Sequence, residues 1–157
     1  MSARRKARKR ALDALFAADI RGVDIAEVLV EEQSRQHEDP KRFTDADYAT
    51  TLIRGVADHL HTIDAALRCV ATDWPLERLA TVDRAVLRLG VFELNYRDDI
   101  PTAVAVSEAG ELVAELSTDD SRSFVQGVLG AVAKNLPLTE VEKPEPVAEP
   151  ADTAVEE

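Results

Sequence analysis

Residues 81–96, TVDRAVLRLGVFELNY, decide the fold. Val82, Val86, Leu89 and Gly90 fall on one face at helical spacing, and Leu87, Val91 and Leu94 cover the adjoining side. An apolar stripe wider than about 100° needs neighbours on more than one side. Thr81 reads as the N-cap, Asp83 puts an acid in the first turn, and Arg97 puts a base at the end, each where the helix dipole favours it. The spacing predicts the central helix of an all-α domain.

Working outward, the upstream segment 48–70 carries the stripe Tyr48, Leu52, Val56, Leu60 (or His59), Ile63, Leu67 and Val70. Thr44 and Asp47 read as a capping box that opens it. Gly55 inside it marks either a close helix contact or a break. Trp74-Pro75 ends the segment, and Leu76–Leu79 adds a short turn. Earlier still, 2–21 reads as a first helix with Ala7, Ala11, Leu15 and Ala18 on one stripe, Leu12, Phe16 and Ile20 beside it, and Gly22 as terminator. Asp24 caps a short second helix with Ile25, Val28 and Leu29, and polar 34–42 with Pro40 reads as a loop. Downstream, 104–116 is a helix with Ala109, Leu112, Val113 and Leu116 inward. Its TAVAV start alternates like a strand, but no partner strand is predicted. Thr118–Ser121 caps a last helix with Phe124, Val128 and Val132 on one stripe, and Pro137 stops it. The expectation is a compact bundle of about seven helices. It is followed from residue 138 by an acidic tail without core pattern, which composition predicts to be disordered. The organisation is therefore 1–137 as one helical domain and 138–157 as a tail.

Charge is unevenly spread along the 157 residues, whose net formal charge is −11. Residues 1–10 carry six bases and no acid (+6), residues 11–137 carry −11, and 138–157 carry −6. A basic arm on an acidic body is a nucleic-acid-binding layout. One cysteine, Cys69, excludes an internal disulfide and reads as a small buried residue. No apolar run approaches the roughly 20 residues a membrane helix needs, and acids interrupt the apolar stretch after the arm, so the expected location is cytoplasmic.

Catalytic motifs are missing from the sequence: there is no Gly-rich phosphate loop, nucleophile elbow or HExxH. His59 and His61 point different ways on a helix and cannot share a metal. No cofactor is expected. Gly127 and Gly130 read as close helix packing, and Glu108, Glu111 and Glu115 as a solvated acidic face. The sharp signal is Arg4, Arg5, Lys6, Arg8, Lys9 and Arg10. Cations at a helix N-terminus oppose its dipole and repel at i,i+4, costs that a bound polyanion offsets. Because the body is acidic, a single strand along one edge fits better than a wrapped duplex. Six phosphate contacts would give a salt slope near about −4 on single-stranded RNA.

Five pieces in order, ARRKARKRALDALF, LIRGVADHLHTID, DRAVLRLGVFEL, IPTAVAVSEAGELVAEL and DDSRSFVQGVLGAVA, span about residues 3–134. Together they resemble the NusB family of bacterial transcription antitermination factors. Ser107, Phe92 and Gln126 depart from the family's usual Asn, Tyr and Asn. The resemblance implies two small helical subdomains and no enzymatic activity. It also implies binding to single-stranded boxA RNA jointly with NusE, a small-subunit ribosomal protein, within the RNA polymerase antitermination complex with other Nus factors, notably on ribosomal RNA operons. Arg4, Arg5 and Arg8, with Lys6 and Lys9 among them, match the RNA-binding arm. Asp120, Arg122 and Phe124 match a second RNA contact at the start of the last helix, where core packing is the competing role for Phe124. Phe16, Asp83, Arg84 and Glu93 match the surface that receives NusE. A homodimer covering one of these surfaces is a further expectation. The competing function is a protein-interaction bundle in which the arm meets an acidic protein and no RNA is read.

Overall fold

A computed structural model describes residues 2–41 and 46–143, without the side chains of 46 and 47. Thr44 and the Asp47 side chain, the expected capping box, lie outside the described residues. Among the described residues seven α-helices follow one another: α1 Ala3–Arg21, α2 Ile25–Glu38, α3 Ala46–Asp58, α4 Leu60–Val70, α5 Thr81–Tyr96, α6 Thr102–Leu116 and α7 Asp119–Ala133. A 3₁₀ turn at Leu76–Arg78 leads into α5. Among the described residues there is no strand, and 102–106 begins α6.

The central helix keeps its expected bounds and packs against α1, α3, α4, α6 and α7. Ala85, Val86, Leu87 and Val91 are fully buried in it. Its N-cap is Ala80, and Thr81 is the first helical residue rather than the cap. Two close approaches fix its neighbours. A Cβ at Gly90 would lie 2.6 Å from Leu129 of α7, and one at Gly55 of α3 would lie 2.0 Å from the Phe92 ring. Gly55 is thus the close contact, while the helical break falls at His59. The first three helices pack on one another, α4, α6 and α7 pack around α5, and α1 and α3 join the two groups in one core by packing on α5 as well.

Several expectations need correction. The second helix is not short. It continues to Glu38 through the stretch read as a loop: Arg35 reaches back to Glu31 and Glu32, the Thr50 hydroxyl of α3 donates to Gln36, and α1 holds the preceding turn by Arg21–Glu31 at 2.7 Å and an Arg10–Glu32 pair. Leu116 is exposed rather than inward, and Ile20 beside the α1 stripe is exposed as well. Cys69 is exposed rather than buried. Gly127 and Gly130 face open space, where a Cβ on either would meet nothing within 4 Å, so they mediate no close packing. The tail begins with a docked stretch: Leu138 N–H donates to Asn95 Oδ1 (2.9 Å), while the Tyr96 and Thr62 hydroxyls donate to Glu140 (2.7 and 3.0 Å). Burial and the Glu140 bond push the Tyr96 hydroxyl up to about 12. Residues 144–157 lie outside the described residues.

Candidate nucleic-acid interface

The arm is the first half of α1. Ser2 caps it, its hydroxyl accepting from Arg5 N–H at 3.1 Å, and Gly22 ends it in the left-handed conformation that glycine adopts freely. Its six bases do not form one free patch. Arg8 is 4% exposed and grips Glu93 of α5 through two hydrogen bonds of 2.8 and 2.9 Å. Glu93, itself 2% exposed, also accepts from the Tyr48 hydroxyl at 2.6 Å. Burial works against the Arg8 charge, but the Glu93 hydrogen bonds and its nearby charge outweigh that and hold the guanidinium pKa above its ordinary value. Burial and the Glu93 bond likewise raise the Tyr48 hydroxyl. Arg8 and Glu93, expected on the RNA and partner surfaces, therefore satisfy each other inside the protein.

The remaining cations sit closer to solvent and mostly have counter-charges. Arg5 donates twice to Glu108, both at 3.0 Å, which lowers the Glu108 carboxyl pKa. Arg4 pairs with Asp99 at 3.1 Å while lying 4.3 Å over the Tyr48 ring. Lys9 is 3.7 Å from Glu115. Lys6 is exposed and makes no ion pair among the described residues. The acidic face of α6 is thus the counter-charge of the arm and not a merely solvated surface. The N-terminal cations that were expected to call for a polyanion are largely answered within the chain. Tyr48, which shapes this region with Asp99, carried no signal in the sequence beyond its place in an apolar stripe.

Along the same side, α6 passes the arm on to α7. Arg122 pairs with Glu111, one turn from the Glu108 that holds Arg5. Asp120 is exposed at the start of α7, and Phe124 is half-buried, packed on the core yet lining a groove. Of the two roles weighed for Phe124, core packing is present, and the ring's remaining surface lines the groove. Thr118 caps α7 by accepting from Ser121 N–H.

Of the expected partner residues, Phe16 stands out with 38% exposure, next to Ile20 on the same side of α1. Arg84 is half-buried, donating to Asp19 of α1 at 3.0 and 3.2 Å and to the Leu76 carbonyl at 3.3 Å. Asp83 is 8% exposed and accepts the Ser121 hydroxyl at 3.0 Å. The structure gathers Phe16, Asp19 and Arg84 at one end of α1 and places Glu93 away from them, beneath the arm. No group of three or more metal-ligating side chains occurs among the described residues, and no helix is long and apolar enough to cross a membrane.

Comparison with known proteins accounts for this arrangement. The NusB family profile matches residues 5–134. A transcription antitermination protein NusB from a Nocardioides species is 53% identical over 137 residues, covering 87% of this chain and 98% of the relative. The one from Leifsonia xyli is 47% identical with 87% and 95% coverage. Among solved structures, T. maritima NusB superposes with a TM-score of 0.74 at 33% identity, covering 85% of this chain and 92% of that one. A chain from the crystal structure of antitermination factors NusB and NusE in complex with dsRNA superposes at 0.73 with 27% identity, covering 86% and 98%. With the profile running from the arm to the end of α7, and half-identical relatives matched along nearly their whole length, this chain belongs to the NusB family.

Proposed function

We propose that the chain is a non-catalytic transcription antitermination factor that binds single-stranded boxA RNA jointly with NusE, in an RNA polymerase complex acting on ribosomal RNA operons. The observation that carries this reading is the set of cations Arg4, Lys6 and Lys9, which reach solvent around an arm anchored by the buried Arg8–Glu93 pair. A helix locked in this way presents its outer cations at fixed positions, so less side-chain and backbone freedom is lost when a phosphate chain binds. Arg4 and Lys9 are tied by exposed ion pairs, which are worth little and exchange readily for phosphate, and Arg4 can keep its place over the Tyr48 ring while doing so. Arg5 and Arg122 add charge along α6, which lies between the arm and α7, and Asp120 and Phe124 extend the surface onto a helix N-terminus.

On the protein side, Phe16 and Ile20 form an exposed apolar pair beside the Asp19–Arg84 ion pair, which suits a partner offering both apolar and charged groups. Buried Glu93 acts indirectly, by holding Arg8, and Asp83 lies below the surface at the start of α5. The test is fluorescence anisotropy on boxA RNA and a scrambled RNA, with and without NusE. Sequence-selective binding that NusE enhances is the expected result. Equal, weak binding to both RNAs in both conditions would overturn this reading in favour of a protein-interaction bundle.

A further inference from the structure

Helix α6, TAVAVSEAGELVAEL, carries three carboxylates and no base. Glu108, Glu111 and Glu115 recur at steps of three and four, which makes them neighbours on one face. Like charges at i,i+4, as at Glu111 and Glu115, repel, and an acid in the last turn meets the negative end of the helix dipole. Nothing on α6 itself offsets either effect. The offset comes from two other helices. Glu108 accepts two hydrogen bonds of 3.0 Å from Arg5 and lies 3.8 Å from Arg8. Glu115 lies 3.7 Å from Lys9, and Glu111 pairs with Arg122 of α7. Lys6, between the two paired positions of the arm, makes no ion pair among the described residues. The Lys9 and Glu115 side chains are 42% and 46% exposed, so a polyanion can reach the pair. An ion pair this open fastens α6 to α1 only weakly, which leaves a purely structural role for Glu115 poorly supported.

We propose that Glu115 and Glu108 of α6 compete with RNA phosphates for Lys9 and Arg5, and so set how weakly the chain holds RNA at large. This rests on the RNA-binding reading above and adds an internal competitor to it. Carboxylate and phosphate oxygens accept the same charge-assisted hydrogen bonds from lysine and arginine. A phosphate that takes Lys9 therefore has to break the Lys9–Glu115 contact and return the Glu115 charge to water. The two pairs yield in order. Lys9–Glu115 is a single exposed contact and gives way first, whereas Arg5–Glu108 has two hydrogen bonds and a carboxylate only 18% exposed. Lys6 has no such partner to give up. The competitor acts on the phosphate contact, which every RNA shares, and leaves base contacts alone. It lowers the affinity for boxA and for unrelated RNA by the same factor, so arbitrary RNA dissociates at concentrations where base contacts and NusE retain boxA.

The experiment is anisotropy on boxA RNA and a scrambled RNA at one fixed salt concentration, with and without NusE. The proteins are wild type, Glu115→Gln and Glu108→Gln/Glu115→Gln, with Glu115→Gln also placed in Lys9→Ala and Lys6→Ala backgrounds. Binding is read well below each melting temperature, measured by circular dichroism. Glu115→Gln should tighten both RNAs about threefold, the scale of one exposed ion pair, and the double variant should bind tighter still. The gain from Glu115→Gln should persist without Lys6 and vanish without Lys9, because the carboxylate acts through the cation it holds. An equal gain in both backgrounds would overturn the proposal in favour of repulsion through space. Unchanged or weaker binding by Glu115→Gln would overturn it in favour of a carboxylate that positions Lys9 for RNA or merely fastens α6. A double variant no tighter than Glu115→Gln would remove Glu108 from it. In each of these cases the RNA reading stands, provided that wild type prefers boxA and responds to NusE. Equal, weak binding of both RNAs by wild type in both conditions would overturn the proposal together with the reading beneath it.

Discussion

The arm of α1 and the groove that Phe124 lines with Trp74, Arg78 and Asp83 treat charge in opposite ways. Along α1, Arg4, Arg5, Arg8 and Lys9 meet Asp99, Glu108, Glu93 and Glu115 of the same chain. In the groove, the Arg78 guanidinium has no ion pair among the described residues and one buried oxygen of Asp83 has no hydrogen-bond partner. A run of like charge in a sequence marks where the fold collects counter-charges, and only part of it stays available to a ligand. No spacing rule reveals which part. The two regions should therefore respond differently to mutation: α1 through folding where the charge is buried, the groove, at its exposed side chains, with little change in stability.

The largest effect is expected at Arg8. Replacing it by Ala leaves Glu93 charged and buried, which costs about 3–5 kcal/mol. The thermal melting temperature should fall by roughly 10 °C or more. A melting temperature equal to wild type would mean that the pair is solvated and that the arm is not anchored from below.

Next in size is a pH effect at Arg5–Glu108. The Arg5 hydrogen bonds hold the folded Glu108 pKa below its ordinary 4.5. Their stabilisation is therefore complete above about pH 4.5 and is lost as pH falls through the lowered folded value. Melting curves from pH 7 to 3 should show wild type losing this increment in acid. Arg5→Ala should be less stable at pH 7 and converge on wild type at the acid end. A constant gap across that range would remove Glu108 as the arm's counter-charge.

Much of this architecture was legible in the sequence. The bounds of α5 followed from its wide apolar stripe, because a helix surrounded by five neighbours writes its burial into every turn. The failures share a cause. Residues 34–38 continue α2 through polar contacts, Arg35 with Glu31 and Glu32 and Gln36 with Thr50 of α3, and hydropathy periodicity is silent about a polar interface. Glu93 read as a surface acid since nothing local announces that Arg8, 85 positions away, arrives to neutralise it. The groove was missed because Trp74-Pro75 carries an obvious local meaning, the end of a helix, and its Asp83 floor comes from another element. The break at His59 escaped because the apolar stripe runs through it without interruption.

Smaller effects sharpen the contrast. Gly127→Ala lies on an open face of α7 and should stabilise by up to about 1 kcal/mol through helix propensity. A loss of stability there, read by urea unfolding, would mean that a neighbour packs on this face. Trp74→Ala removes an exposed side chain and should change stability by no more than about 0.5 kcal/mol, so any large drop would turn the groove into part of the core.

The most direct test of the central claim, that only the outer cations of α1 face RNA, is the salt dependence of boxA binding. Wild type and Arg4→Ala/Lys6→Ala/Lys9→Ala would be compared from 50 to 300 mM salt, a range of about sixfold chosen to span strong and weak screening. Each lost phosphate contact reduces the slope of log K against log salt by about 0.7 on a single strand. The account predicts a slope shallower by about 2 with an unchanged melting temperature. An unchanged slope would contradict it and place the RNA elsewhere on the protein.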